Sequence, residues 1–269
     1  MLRPRVLTIA GSDPSGGAGL QADLSVFAVF GCHGMAVPAA LTCQDSAGVR
    51  HSVALDAAEI LDEANLVFED SPPAAVKTGM LLRADAVDAV VHVVVRHAVV
   101  PLVVDPVLLS SSGARLFDDD ARDALVSRLF PRATLVTPNA FEAAALTGME
   151  VRSTDEATEA ARRLLELGAG AALVKGGHIE GEDVADVLVL ANGAPQIHRH
   201  ERVRLARPVR GTGCALSAAI ASGLARGLPL PAAVEVGVRY VQAAIRHAYP
   251  TGRGAFSLDR GVHVEGMNS

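Results

Sequence analysis

The chain has no tryptophan, and only 3% of its 269 residues are aromatic. A groove that stacks unpaired nucleic-acid bases needs such rings, so no single-strand platform is expected. Positive charge is also in short supply. There are 24 Lys and Arg against 30 Asp and Glu, for a formal net charge of -6, which argues against a nucleic-acid or other polyanionic partner. Cysteine is limited to Cys32, Cys43 and Cys214. An odd number without CxxC spacing argues against a disulfide framework or a thiolate zinc site, and fits a reducing cytoplasm. Long apolar runs are missing too. The most apolar region, "AVDAVVHVVVRHAVVPLVVD", is interrupted by His92, Arg96, His97 and Pro101, so no membrane span is expected. The start, "MLRPRVLTIAGSD", carries no small-residue cleavage site and is read as no signal peptide.

What the chain does have is apolar aliphatic material, at 50% hydrophobic residues, ample for a core. Short β-branched runs alternate with alanine-rich stretches. Strands are predicted at 6–10, 35–41, 74–79, 101–105, 133–138 and 171–176. Helices are predicted near 18–31, 56–69, 84–97, 118–130, 139–147 and 154–168. This rhythm predicts an α/β fold with a mostly parallel sheet and helices on both faces. "DVADVLVL" and "APQIHRHERVRL", split by "ANGA", read as an antiparallel hairpin. Helices near 213–226 and 230–247 close the chain. No repeat or linker divides it, so residues 1–269 are read as one domain. Ligands of such sheets sit beyond the carboxyl ends of the strands. That draws attention to Gly11 to Asp13, Gln44, Met80, Asp105, Asn139, and Lys175 to His178.

"GSDPSGGAG" (11–19) places four glycines after the first strand. It is not a Walker loop, because Gly17 and Ala18 stand where the lysine and the magnesium-binding hydroxyl belong. Gly17, Gly19 and Ala22 fit a dinucleotide fingerprint, but "SDPSG" separates them from the strand. The preferred reading is a close-approach site, where bare backbone admits a flat ligand or another backbone. Asp23 follows early in the helix, where it also suits the helix N-terminus.

A second glycine site, "RGTGCALSAAIASGL", spans Arg210 to Leu224. Gly211 and Gly213 precede strong helix formers, so the amides of residues 211 to 214 are expected to point outward as an anion site. They suit charge that develops on a transferring group. Cys214 falls in the first turn, where a depressed thiol pKa is expected; a plain core cysteine is the other reading. Asn139 and Glu142 have N-x-x-E spacing, which is either a capping box or a water-mediated magnesium contact. Asp105 is either a second acid for the metal or a turn residue before proline. Lys175 is either a partner for nucleotide phosphate or a solvated strand end. "FDDDARD" reads as helix capping. His198 and His200 share a strand face without an evident third ligand, and Cys32-His33 reads as a helix-end turn.

"LTIAGSDPSGGAGLQADL", "VKTGM", "VVDPV", "TPNAFEA", "VKGGH" and "GTGCALSAAIA" occur in this order. Together they resemble the hydroxymethylpyrimidine/phosphomethylpyrimidine kinases, thiamine-pathway members of the ribokinase-like superfamily. The resemblance covers roughly residues 5 to 250, and the first and last motifs are the most specific. It implies a three-layer sandwich, ATP and Mg²⁺ as cofactors, a small pyrimidine substrate, no nucleic-acid or membrane partner, a cytoplasmic setting and a homodimer. By motif, Gly11, Asp23 and Gln44 would contact the pyrimidine, while Met80 and Val107 would pack on its ring. Asn139, Lys175 and Gly177 would meet the nucleotide, and Asp105 and Glu142 the metal. Gly211, Thr212, Gly213 and Cys214 would form the catalytic helix start, with Cys214 where relatives with aspartate use a general base.

Three departures from the family pattern stand out. Val209 and Arg210 replace its usual Thr-His before GTGC, Ser111 stands near its usual lysine after "DPV", and Asp45 replaces Asn after Gln44. Arg210 is expected to supply the lost cation, since arginine suits phosphate. Loss of the second phosphorylation is another outcome these changes allow. A pyridoxal-type kinase and a catalytically weak pyrimidine-binding or regulatory protein are the competing readings.

Overall fold

The computed structural model describes residues 3–97, 101–108 and 119–267. The first apolar run forms β1 (Arg5–Ser12), in which Val6 to Ala10 are buried, and leads into α1 (Gly19–Val29). The chain continues through β2 (His33–Asp45), β3 (Gly48–Ala54), α2 (Ala57–Asp70), β4 (Ala75–Thr78), α3 (Ala84–Arg96) and β5 (Leu102–Val104). The described elements that follow are α4 (Asp119–Ala124), β6 (Leu135–Val136), α5 (Ala140–Thr147), α6 (Thr154–Glu166), β7 (Ala171–Val174), β8 (Asp183–Leu190) and β9 (Gln196–Glu201). The last part contains β10 (Val209–Arg210), α7 (Thr212–Ala225), α8 (Leu230–Arg246), β11 (Tyr249–Pro250) and β12 (Phe256–Ser257).

Among the described residues, nine strands form one sheet in the order β3-β2-β1-β4-β5-β6-β7-β8-β9. Neighbours from β2 to β7 run parallel, and β3, β8 and β9 pair antiparallel at the two ends. Consecutive strands move outward on one side of β1, then restart on the other with β4. The crevice at that reversal, beyond β1 and β4, is where such sheets hold ligands.

Two apolar layers cover the sheet. One face packs α2 to α6, with Leu7, Ile9, Val76, Val104 and Val136 from the strands. The other packs α1, α7 and α8 on Val6, Ala75, Val103, Leu135 and Leu173. Phe30 and Tyr240 meet edge to face at 5.1 Å in this second layer. Among the described residues, no helix is long and apolar enough to cross a membrane. The three cysteines are free thiols.

The structure differs from the sequence reading in three places. β2 does not stop at residue 41; it runs to Asp45 and turns into β3 through Ser46 and Ala47. β3 carries no apolar alternation because, as an edge strand, it buries neither face fully. The predicted helix 118–130 is α4 followed by a wider turn (Leu125–Leu129) and a tight one (Phe130–Arg132). Pro131 cannot donate a backbone hydrogen bond, which ends regular helix there. The strand predicted at 133–138 is reduced to two residues.

Phe27 lies fully buried in the α1 layer, over Gly34, where any Cβ would sit 2.9 Å from its ring. Phe27→Ala is expected to lower the unfolding free energy by about 3–5 kcal/mol with an unchanged denaturant slope. A loss below about 1 kcal/mol in the same urea titration would contradict this packing.

Candidate active site

Side chains alternate across a strand, and here that alternation collects the polar ones. Val6, Ala75, Val103, Leu135 and Leu173 face α7. Two residues further along each strand come Thr8, Lys77, Asp105, Thr137 and Lys175, on that same face. All five cluster beyond or near the carboxyl ends, beneath the start of α7.

Their bonds form a row. Lys77 Nζ donates to Asp23 Oδ2 at 2.7 Å, and Thr8 Oγ1 donates to the same oxygen at 2.7 Å. Neither Asp23 nor Lys77 is exposed at all, and Asp23 Oδ1 is buried without a partner. Asp105 accepts from Lys175 Nζ at 3.0 Å, from Thr137 at 3.2 Å and from Ser217 of α7 at 3.3 Å. Lys175 lies 4.0 Å from Glu142. Burial works against the Lys77 charge, yet Asp23 above all, together with Asp105, holds its ammonium above the ordinary range. Burial also pushes Asp105 up, and Lys175 with Lys77 brings it below the usual carboxylate range.

α7 opens on Gly211, which has φ 79 and no side-chain cap. Its first bonded amide is that of Ala215, to the Gly211 carbonyl. The preceding amides are left to face the site, as expected for an anion-binding helix start. Gly213 lies close against the row: a Cβ there would sit 3.0 Å from Lys175 Nζ and 3.6 Å from Asp105 Oδ2. Cys214 corrects the sequence reading. Its thiol is raised, not depressed: burial dominates, Lys77 opposes, and Asp23 with Asp105 adds to the rise. The helix start does not overcome two carboxylates in a desolvated setting, so the thiol is neutral at pH 7.

The opening loop is a close-approach site, and much of the close approach is between parts of the protein. A Cβ on Gly11 would overlap Met80, one on Gly19 would overlap the Gly11 carbonyl, and one on Gly211 would overlap the Gly17 carbonyl. Gly17 leaves room for the Arg210 guanidinium. Arg210 also departs from expectation. Its Nη2 donates to Asp13 at 2.6 Å, and its Nη1 donates to Ser15 at 3.1 Å and the Asp45 carbonyl at 2.5 Å. It is buried and bound to protein, so it is not a free cation for phosphate. Asp23 is not an N-terminal helix charge either; it sits at the fifth position of α1, paired with Lys77.

The sequence profile of the phosphomethylpyrimidine kinase family matches residues 13–259. The chain belongs to that family. It is 44% identical over 253 residues to the thiamine biosynthesis bifunctional protein ThiED of Geobacter sulfurreducens, covering 94% of this chain and 51% of that protein. The chain thus spans about half of that relative. It is 40% identical over 259 residues to the hydroxymethylpyrimidine/phosphomethylpyrimidine kinase of Streptomyces coelicolor, covering 96% and 94%. Among solved structures, the ADP complex of Bacillus subtilis pyridoxal kinase superposes with a TM-score of 0.88 at 30% identity, covering 96% and 97%.

The other residues expected from the motifs are placed as follows. Met80 is buried beside Gly11, and Val107 is half-buried two residues after Asp105. Gln44 sits at a bulge in β2 and accepts from Thr42 at 3.3 Å. Asn139 and Glu142 do form the capping box, at 2.9 and 2.8 Å, while Glu142 also faces Lys175. Gly177 is exposed and lines a cavity of 350 Å³ with His178, Arg202 and Arg204. Ser111 lies outside the described residues. His200 bonds Asp186 at 3.1 Å and joins no metal cluster among the described residues. Lys77 and Ser217 were not anticipated.

A magnesium ion fits the donor set on chemical grounds. Among the described residues no three or more His, Cys, Asp and Glu side chains gather as a cage. Mg²⁺ does not ask for one, since it keeps several waters and takes one or two carboxylates with substrate phosphates. Asp105 and Glu142, joined through Lys175, supply that pair of hard oxygen donors.

Glu142 sets a pH dependence. Burial above all raises its carboxyl to about 7 from 4.5; Lys175 opposes and Asp105 adds. The folded protein therefore holds a proton that the unfolded chain releases between these values. The stability Glu142 contributes is complete below 4.5 and is lost as the pH rises through about 7. Ligand-free protein should lose Tm relative to Glu142→Gln between about pH 5 and 7.5. Parallel Tm curves for the two proteins would refute the assignment.

Proposed function

We propose that the protein transfers the γ-phosphoryl group of ATP to the hydroxymethyl group of 4-amino-5-hydroxymethyl-2-methylpyrimidine. A second transfer to the monophosphate follows, as a step of thiamine biosynthesis. The observation that carries this is the buried row of charges ending under an uncapped helix start, in a chain of the phosphomethylpyrimidine kinase family.

The alcohol oxygen forms the new bond to γ-phosphorus, the bond to the β–γ bridging oxygen breaks, ADP leaves, and the alcohol proton passes to a phosphoryl oxygen and from there to water. The Gly211, Thr212, Gly213 and Cys214 backbone stabilises the charge on the transferring group. Lys175, Asn139 and Gly177 hold the nucleotide. Asp105 and Glu142 would hold Mg²⁺, which would supply neutralisation of phosphate charge. Gly11, Asp23, Gln44, Met80 and Val107 form the pyrimidine site, in which Asp23 Oδ1 is a buried acceptor without a partner in the protein. Cys214 acts as a neutral thiol that orients the alcohol. A loose phosphoryl transition state asks little of a base early in the reaction. Residues 1–269 serve as one kinase domain, in the cytoplasm and as a homodimer. The exposed cross-strand pair Leu41 and Val53 on the edge hairpin gives such a dimer a contact.

ADP release with Mg-ATP and this pyrimidine is the deciding assay, with pyridoxal in parallel because of the likeness to a pyridoxal kinase. Turnover of the pyrimidine is expected. Turnover of pyridoxal alone would transfer the assignment to that alcohol. Folded protein that releases ADP from neither would favour a binding or regulatory role.

Cys214→Ser keeps a neutral donor and is expected to retain activity within about tenfold, whereas Cys214→Ala should lose about a hundredfold. Equal losses of about 10²–10⁴ in both would restore the thiolate-base reading.

A further inference from the structure

Arg210 is one of the residues at which this chain departs from the pattern of the family it resembles, and it is among the most deeply engaged charges in the molecule. Its side chain is 4% exposed and that of its partner Asp13 is 3% exposed. Asp13 organises the loop that follows β1. It accepts from the Ser15 amide at 3.0 Å, the Ser15 hydroxyl at 2.8 Å and the Ala18 amide at 2.8 Å. Arg210 reaches this carboxylate, Ser15 and the carbonyl of Asp45 in the β2–β3 turn. Its own backbone immediately precedes Gly211, the cap of α7. One residue thus joins the loop, the hairpin turn and the helix start. On its far side the same loop is held by Arg260, which donates to the Gly16 and Gly17 carbonyls at 3.0 and 2.6 Å.

We propose that Arg210 is a positioning residue that latches the 13–17 loop and the β2–β3 turn to the start of α7, fixing the gap between the bound alcohol and the amides that receive the phosphoryl group. This rests on the kinase reading above. Gly11 and Gln44 lie on the loop and hairpin side of the latch, and the α7 amides lie on the other. A shift of about 1 Å between two such parts costs on the order of a hundredfold in rate. The guanidinium fork is needed because three acceptors lie in different directions, and an ammonium does not reproduce that geometry.

The test compares Arg210→Lys and Asp13→Asn with wild type in kcat, in KM for ATP and for the pyrimidine, and in amide hydrogen exchange of residues 15–18. Both variants are expected to lower kcat about tenfold or more while each KM stays within about threefold. Exchange at Ser15 and Ala18 should rise about tenfold or more. Unchanged kcat in a folded variant would overturn the proposal. So would a loss that resides in the KM for ATP, which would make Arg210 a phosphate ligand. Should Arg210→Lys fail to fold, Asp13→Asn decides alone, since it keeps the arginine. If wild type turns over neither alcohol, the kinase reading fails, and the exchange data alone then uphold the latch if they rise and overturn it if they do not.

Discussion

Lys77 and Asp23 meet at 2.7 Å with neither side chain exposed, and the surrounding site is arranged around that constraint. Two charges removed from water are tolerated only when each faces the other in good geometry, and losing one partner strands the second. Asp105 and Lys175 repeat the arrangement one step along the sheet at 3.0 Å. The sequence of charges is therefore minus, plus, minus, plus, ending on Glu142. With Glu142 protonated the row is balanced; with Glu142 ionised it carries one excess negative charge. In the ionised state that excess charge would suit one more cation, and it borders amides suited to an anion.

The parallel sheet, its helical cover and the β8–β9 hairpin were legible because periodicity and β-branched runs report burial directly. β3 was not, because an edge strand exposed on both faces has no apolar pattern to read. In the site, glycine spacing located both loops and the family motifs named most of the positions around them. Lys77 escaped notice because a lysine inside "AAVKTG" looks like a solvated strand residue until the register shows which face it points to. The Cys214 thiol was misjudged for a related reason. A helix start is visible in sequence, but the burial that raises the thiol is not, and the carboxylates that add to it come from α1 and from just beyond β5, far away along the chain.

The glycines show a similar division. Their number marked a close approach, and the structure identifies much of what approaches: a carbonyl at Gly19, another at Gly211, a guanidinium at Gly17 and a thioether at Gly11. The loop is held in place by protein atoms before any ligand arrives. Arg210 belongs to this scheme. Sequence chemistry suggested a cation for phosphate, and three-dimensional placement turned it toward Asp13.

The strand parity that assembles the row has a consequence for how the molecule is built. Thr8, Lys77, Asp105, Thr137 and Lys175 come from five strands adjacent in the sheet. A slip of one residue in any of these strands reverses its faces; in β4, β5 or β7 it would drive a lysine or an aspartate, and in β1 or β6 a threonine, into the layer of α2 to α6, among Leu7, Ile9, Val76, Val104 and Val136. The apolar residues alone penalise such a slip weakly, since both faces of these strands are buried and aliphatic. The polar residues make the penalty large. The residues assigned to chemistry therefore also proofread the sheet: each strand that contributes one is checked for alignment as it is added.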